Sequence, residues 1–526
     1  MSLLSYSFLS FVIISLVIYY LLPRQHRWMV LLAASIAFYL CSGSGLAVCY
    51  VAVTTLSVWV LARRIGGMAE QFQAEMAEQK PERAEKKRLR AALKQRQRRL
   101  LVAGLLLNFG ILAVVKYTNF VLSTVNLFIA EEEQALPLVS WVFPLGISYY
   151  SFQSLGYLID VYHGKIAAER SLPRFALFVL YFPQLVSGPI SRHAQLSEEL
   201  YEGRNLDREG FLGGFTRILW GCFKKLVIAD RIAGPVLLMI TDPETYSGVY
   251  AFLAMLGYSI WVYADFSGAM DLVLGVSALF GIRLPENFNR PFFSKSLSEL
   301  WRRWHMTLME WFRDYIFFPL SVSGFCRRLM GALNRADLKK LSYRVPVYLS
   351  TLAVWLVAGL WHGASWNFVN WGLANAFVLL LSQELEPLSA FLRRRLHVNG
   401  SSLWRGLFAS RTFLLFSVIE LFEYHSFGTV FAVLWGMLSS FHVSELRDAR
   451  ILTLGLNTAE FFVLLLGVLL MLLVSLFERR ESMEQRFRRS PQLLRGTVCA
   501  GLLLLTLITG VYGQGYDARA FIYNQF

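Results

Sequence analysis

The sequence predicts an all-α, multi-pass membrane protein. Of its 526 residues 56% are hydrophobic and only 17% are charged, and apolar runs recur along the whole chain. A soluble domain carries about 25% charged residues, so the balance argues against an ordinary cytosolic enzyme. Phe8–Leu22, Val102–Val115, Phe461–Phe477 and Val498–Val511 are nearly free of charge. A helix needs roughly 20 such residues to cross the hydrocarbon core, and fewer where its ends snorkel. Counting these runs gives about a dozen segments, some of them re-entrant.

The first run has neither a basic flank before it nor a small-residue cleavage site after it, so it is expected to be a retained helix. Arg24 and Arg27 follow it, Gly43–Gly45 forms an uncharged turn, and Arg63 to Arg99 is densely basic. By the positive-inside rule this alternation places Met1 outside, the Arg24–Arg27 loop inside and the basic stretch inside. Arg479–Arg495 is expected inside and the tail from Gly513 outside. The net charge of +15 therefore reads as orientation in a lipid bilayer and not as nucleic-acid binding.

Composition divides the chain into N-terminal membrane helices (1–64), a basic cytoplasmic helix or linker (65–99), a core (100–385) and C-terminal membrane helices (386–526). The 65–99 stretch is either an amphipathic helix near anionic headgroups or a solvated linker. The five cysteines are scattered, mostly in apolar runs, and no pair has metal-ligand spacing, so no metal site is expected. Asn399-Gly400-Ser401 matches a glycosylation sequon.

Phosphate-binding loops, nucleophile elbows and zinc helices are missing from the sequence. What remains is a set of ionisable residues in apolar surroundings, each of which must face protein or a hydrated cavity. The densest block runs from Pro285 through Glu286, Asn287, Asn289 and Pro291, then Ser298-Glu299-Leu300-Trp301-Arg302-Arg303-Trp304-His305, to Asp314. The prolines keep its first part out of helix. Ser298 is expected to cap a helix in which Glu299 pairs with Arg303, and in which Trp301, Trp304, His305, Leu308 and Phe312 share a face. Basic residues on both sides place the ends of this segment in the cytoplasm, so it dips into the membrane without crossing.

The second candidate is His362, flanked by Gly359 and Gly363 and preceded by Trp361. A helix starting near Val347 carries it about 22 Å inward at 1.5 Å per residue. An imidazole suits proton transfer at neutral pH, and acyl transfer from a thioester needs little more than a base, positioning and an oxyanion donor. His362 and His305 are thus the candidate catalytic pair. Asn287, Trp304, Arg302, Asp265, Trp361 and Asn367 are the candidate substrate contacts, Arg302, Asn367 and the indoles as hydrogen-bond donors. Asp265 either positions a group or caps a helix break beside Gly268.

Several ordered blocks carry a resemblance: Pro144–Gln153, Tyr181–Ile190, Lys224–Asp230, Asp265–Gly268, Glu286–Pro291, Trp301–His305 and Leu360–Gly363. Together they resemble the membrane-bound O-acyltransferase family, in its bacterial branch of alginate O-acetyltransferase and D-alanyl transfer type. The closing Phe521-Ile522-Tyr523 fits as well. After Tyr315–Leu320 this chain reads Ser321-Val322-Ser323-Gly324, where alginate-type members carry a Gly-Gly-Asn-Arg turn.

The resemblance implies a helical bundle around a central funnel, with His362 catalytic and His305 beside it. It implies transfer of an acetyl group from acetyl-CoA or another acyl thioester, with no bound cofactor, to an extracytoplasmic polysaccharide. It also implies residence in the bacterial inner membrane and an extracytoplasmic acetyl-transferring or polymer-modifying partner protein, with an acyl carrier protein as a further candidate partner. Two alternatives stand beside it: D-alanyl or other small-acyl transfer from a carrier, and a non-catalytic flippase.

Overall fold

The computed structural model describes residues 3–42, 45, 47–129, 135–141, 143–398, 400–447, 454–479, 481, 483–512 and 516. Gly43 of the expected turn, Asn399 of the sequon and the closing Phe521–Tyr523 lie outside the described residues. The described chain is helical, without a strand. Six of these helices are long and apolar enough to cross a membrane: Ala47–Gln79, Arg83–Asn126, Val249–Leu279, Lys339–His362, Thr458–Phe477 and Gln492–Thr509. A seventh span arises if Met306–Ser321 and Gly324–Arg335, bent by 46° at their junction, are taken together. With the shorter apolar helices Tyr6–Leu21 and Phe427–Ser439, this is a polytopic all-α membrane protein.

The chain forms two compact units, Met1–Phe211 with Val276–Pro285, and Leu212–Gly275 with Glu286–Phe526. In the first, the basic stretch is helical: it forms the end of Ala47–Gln79 and the start of Arg83–Asn126, parted at Lys80, whose φ is 41°, and Pro81. Gly104 lets the second of these helices approach Leu61 and Leu158, where a Cβ would come within 2.8 Å of either side chain. Gly146, at φ 71°, opens the Ile147–His163 helix under the Leu185 carbonyl, a position that only glycine fills without strain.

The second unit is organised by residues 249–275 of the buried Val249–Leu279 helix, which is continuous. The helix break expected beside Asp265 and Gly268 is therefore absent. Gly268 instead packs on the carbonyl of Gly221 from the Arg208–Cys222 helix. Next in that unit, Lys339–His362 and Trp366–Glu384 form a tight antiparallel pair. Gly359 faces the Phe368 carbonyl and Gly372 faces the Trp355 carbonyl, with no room for a Cβ at either. The first helix begins at Lys339, not near Val347, and its 24 residues end on His362.

The continuous helix expected over Ser298–Phe312 is also corrected. Ser296, not Ser298, caps a short helix Leu297–Trp301, and a new helix starts at Met306. Between them the backbone turns to pair with the proline-bounded stretch. Asn289 N–H donates to the Arg303 carbonyl at 2.9 Å, and Met306 N–H to the Asn287 carbonyl at 3.0 Å. These bonds take the place of helical ones. The expected Glu299–Arg303 ion pair does form, at 2.6 Å.

Candidate functional site

His305 occupies the corner of this turn, in left-handed backbone conformation with φ 46° and ψ 48°. A non-glycine residue there costs on the order of 1 kcal/mol and marks a position held by its surroundings. Its ring is buried against Phe266, centroid to centroid 4.9 Å, and against Trp361 at 5.5 Å. His362 is buried as the last residue of its helix, after which Gly363 runs extended. Its ring lies 5.2 Å from Trp361, 4.7 Å from Trp371 and 6.2 Å from Phe368. Because both imidazoles touch the Trp361 ring, their centroids are no more than about 11 Å apart. Both rings thus pack on the one indole of Trp361, within an aromatic cluster.

Asn287, on the stretch paired with this turn, places its side chain against His305 and Thr307. Its amide nitrogen lies 3.2 Å from His305 Nδ1 and 3.3 Å from Met270 Sδ. Its oxygen accepts from the Thr307 N–H at 3.1 Å and the Thr307 hydroxyl at 2.9 Å. Indole N–H groups tie this cluster to its neighbours: Trp371 Nε1 donates to Glu420 at 3.0 Å and Trp301 Nε1 to Asn375 at 3.0 Å.

The remaining candidates are placed elsewhere. Trp304 packs in an aromatic box of Tyr263, Phe288, Phe292 and Phe416, with centroids 5.1 to 6.1 Å away. Arg302 is exposed and donates to Ser298 Oγ at 2.9 Å. Asn367 spends its amide N–H on the Tyr424 carbonyl at 3.1 Å. Asp265 is fully buried, and its carboxylate lies 2.5 Å from Lys225 Nζ, which also meets Asp230 at 2.7 Å. Its neighbour Lys224 pairs with Asp271 at 2.7 Å and Ser267 at 2.8 Å, and Arg217 ties Asp271 to Glu286. These carboxylates neutralise two lysines set on the wide helical turn Phe223–Ala229, which gives Asp265 a structural partner.

Met270, Thr307 and Trp371 were not among the residues singled out from the sequence, and Phe266 figured there only inside the Asp265–Gly268 block. Phe266 and Met270 carried a weak signal, lying one helical turn apart beside Asp265. Among the described residues, no group of three or more His, Cys, Asp or Glu side chains is placed to hold a metal ion.

Residues 165–332 match MBOAT, the membrane-bound O-acyltransferase family. A probable alginate O-acetylase, AlgI, of Pseudomonas putida is 32% identical over 378 residues, 71% of this chain and 69% of the relative. A peptidoglycan O-acetyltransferase of Helicobacter pylori is 32% identical over 305 residues, 53% of this chain and 54% of the relative. A teichoic acid D-alanyltransferase of Bacillus subtilis is 30% identical over 240 residues, 45% of this chain and 58% of the relative. For other alginate-type relatives the match spans 63 to 66% of their length, slightly under two thirds. At 32% identity over 69% of the Pseudomonas putida relative, and with the family match inside it, the chain belongs to the membrane-bound O-acyltransferase family.

Proposed function

We propose that the protein is an acyltransferase that moves an acetyl group from a thioester donor such as acetyl-CoA to hydroxyl groups of an extracytoplasmic polysaccharide. The observation that carries this reading is the pair of buried imidazoles packed on the one indole of Trp361. His362 removes the proton from the attacking hydroxyl as its oxygen bonds to the acyl carbon. The resulting tetrahedral centre collapses by breaking the carbon–sulfur bond, and the departing sulfur takes the proton back from His362. A thiol leaves readily, so positioning and one base suffice. The O-acetyl-transferring relatives support acetyl as the group and a polymer as the acceptor. The donor reaches the site from the cytoplasm and the polymer from outside, presented by a polymer-modifying partner protein, in the inner membrane of a bacterium.

A second reading, transfer of D-alanine from a carrier protein, is favoured by the D-alanyltransferase relative. Family membership supports transfer chemistry over the non-catalytic flippase. The test supplies radiolabelled acetyl-CoA or D-alanyl carrier to the protein in lipid nanodiscs with alginate, peptidoglycan fragments or teichoic acid as acceptor. Label is expected in a polysaccharide from acetyl-CoA, with His362→Ala at least about 10²-fold slower. Full activity of His362→Ala, or transfer from the carrier alone, overturns the acetyl reading.

A further inference from the structure

We infer that Asn287 is a positioning residue that holds His305 in the Nε2–H tautomer, so that this histidine offers the acyl group a hydrogen-bond donor and leaves proton removal to His362. The chemical consequence rests on the acyl-transfer reading above; the tautomer does not.

The orientation of one amide decides the tautomer. Asparagine oxygen and nitrogen are assigned by their partners, and here one partner permits no choice. The Thr307 backbone N–H can only donate, and at 3.1 Å it points at the Asn287 side chain. The atom facing it must therefore be Oδ1, an assignment that the Thr307 hydroxyl at 2.9 Å supports. Two donors fill the two lone pairs of that oxygen. The amide nitrogen is then turned toward His305 Nδ1 at 3.2 Å and toward the sulfur of Met270 at 3.3 Å. Each of its two hydrogens thus has an acceptor.

An amide N–H cannot accept, so Nδ1 must present its lone pair. The competing contact, Nδ1 to Asn287 Oδ1, is longer at 3.4 Å and aims at an oxygen whose capacity is already used. With Nδ1 as acceptor, a neutral imidazole carries its proton on Nε2. An imidazolium would set N–H against N–H in a buried place, which is costly. Geometry reinforces the lock, because ring and amide belong to the same backbone pairing. Met306 N–H donates to the Asn287 carbonyl at 3.0 Å, and the left-handed backbone at His305 fixes where the ring starts. Phe266 and Trp361 wall the ring in.

The two histidines then have different tasks. As the acceptor oxygen bonds to the acyl carbon, its proton goes to His362 and the carbonyl electron pair moves onto oxygen. The His305 Nε2–H donates to that oxyanion and keeps its proton throughout. When the carbon–sulfur bond breaks, the electron pair leaves with sulfur, which is protonated from His362. Asn287 touches neither substrate and acts through His305.

The test uses full-length protein in nanodiscs with 15N-labelled histidine. The His305 ring signals are identified by their loss in His305→Gln. At neutral pH the Nδ1 signal is expected at the unprotonated imidazole position and the Nε2 signal at the protonated one. The reverse pattern, or rapid averaging of the two, overturns the inference. Asn287→Asp supplies an acceptor opposite Nδ1, so the two ring signals are expected to exchange character. The transfer rate should then fall by at least about tenfold, with KM for acetyl-CoA within about twofold. A folded Asn287→Asp protein with wild-type kcat overturns the inference; if that variant does not fold, the wild-type spectrum decides alone. Wild-type protein that transfers no acyl group, yet shows the expected spectrum, sinks the acyl-transfer reading and spares the tautomer.

Discussion

The Lys225 ammonium lies 2.5 Å from the Asp265 carboxylate in the second unit, and both side chains are fully buried. Removing one member of such a pair leaves an uncompensated buried charge, worth about 3–5 kcal/mol, whereas replacing both with apolar groups is far milder. Lys225 also holds Asp230 at 2.7 Å, so a second carboxylate is stranded when the lysine goes. Lys225→Met is expected to lower the thermal unfolding temperature in detergent more than Asp265→Asn does. The double variant should recover part of the loss. Unfolding temperatures of single variants equal to wild type would show that the pair carries no stability.

Gly359 and Gly372 set the distance between the two helices that place His362. Gly359→Val directs its side chain at the Phe368 carbonyl and forces the helices apart, an overpacking cost of about 1–3 kcal/mol. Transfer is expected to fall at least tenfold, because a displacement near 1 Å suffices for such losses. Gly331→Ala is the control: a Cβ there meets nothing within 4 Å, and helix propensity favours alanine. Its activity and unfolding temperature should match or slightly exceed wild type.

Trp371 contacts the His362 ring and donates its indole N–H to Glu420. Trp371→Phe keeps a ring and deletes the donor, leaving a buried carboxylate oxygen without that partner at a cost of about 1–3 kcal/mol. Unfolding should occur at a lower temperature, and coupling Glu420→Leu with it should restore part of the difference. Additive losses in the double-mutant cycle would mean that the two groups do not act as a pair.

In the first unit, His193 packs between Tyr157 and Phe178, at 4.8 and 4.9 Å, and burial pushes its pKa down to about 4. The unfolded chain binds a proton on this ring near pH 6.5, before the folded one does. His193 therefore leaves stability intact above pH 6.5 and withdraws it as pH falls toward 4, by up to roughly 3 kcal/mol. His193→Phe should flatten the fall of unfolding temperature between pH 6.5 and 4.5. An unchanged slope would assign the acid sensitivity to other groups.

Much of this architecture is legible in the sequence, and the illegible parts share a cause. Hydropathy over 18 or more residues marks Val249–Leu279, Lys339–His362 and Thr458–Phe477, because a spanning helix is a local property. The proline-bounded block at 285–291 and the Glu299–Arg303 pair are likewise local. The break before His305 is different. It depends on backbone bonds to Asn289 and Asn287, 14 and 19 residues back, which the helical pattern of Trp301, His305 and Leu308 does not disclose. Asp265 drew attention as a buried charge, yet its partner Lys225 lies 40 residues earlier and is visible only in three dimensions. Arg302 stood beside a candidate base in the sequence and turns outward because the helix ends at Trp301.

The left-handed corner at residue 305 restricts which replacements that site accepts. Glycine enters such a backbone freely, and asparagine and aspartate enter it at small expense. Valine, isoleucine and threonine would push the whole corner out of shape. The backbone thus leaves a short menu of replacements at this point, whatever room the neighbouring side chains allow.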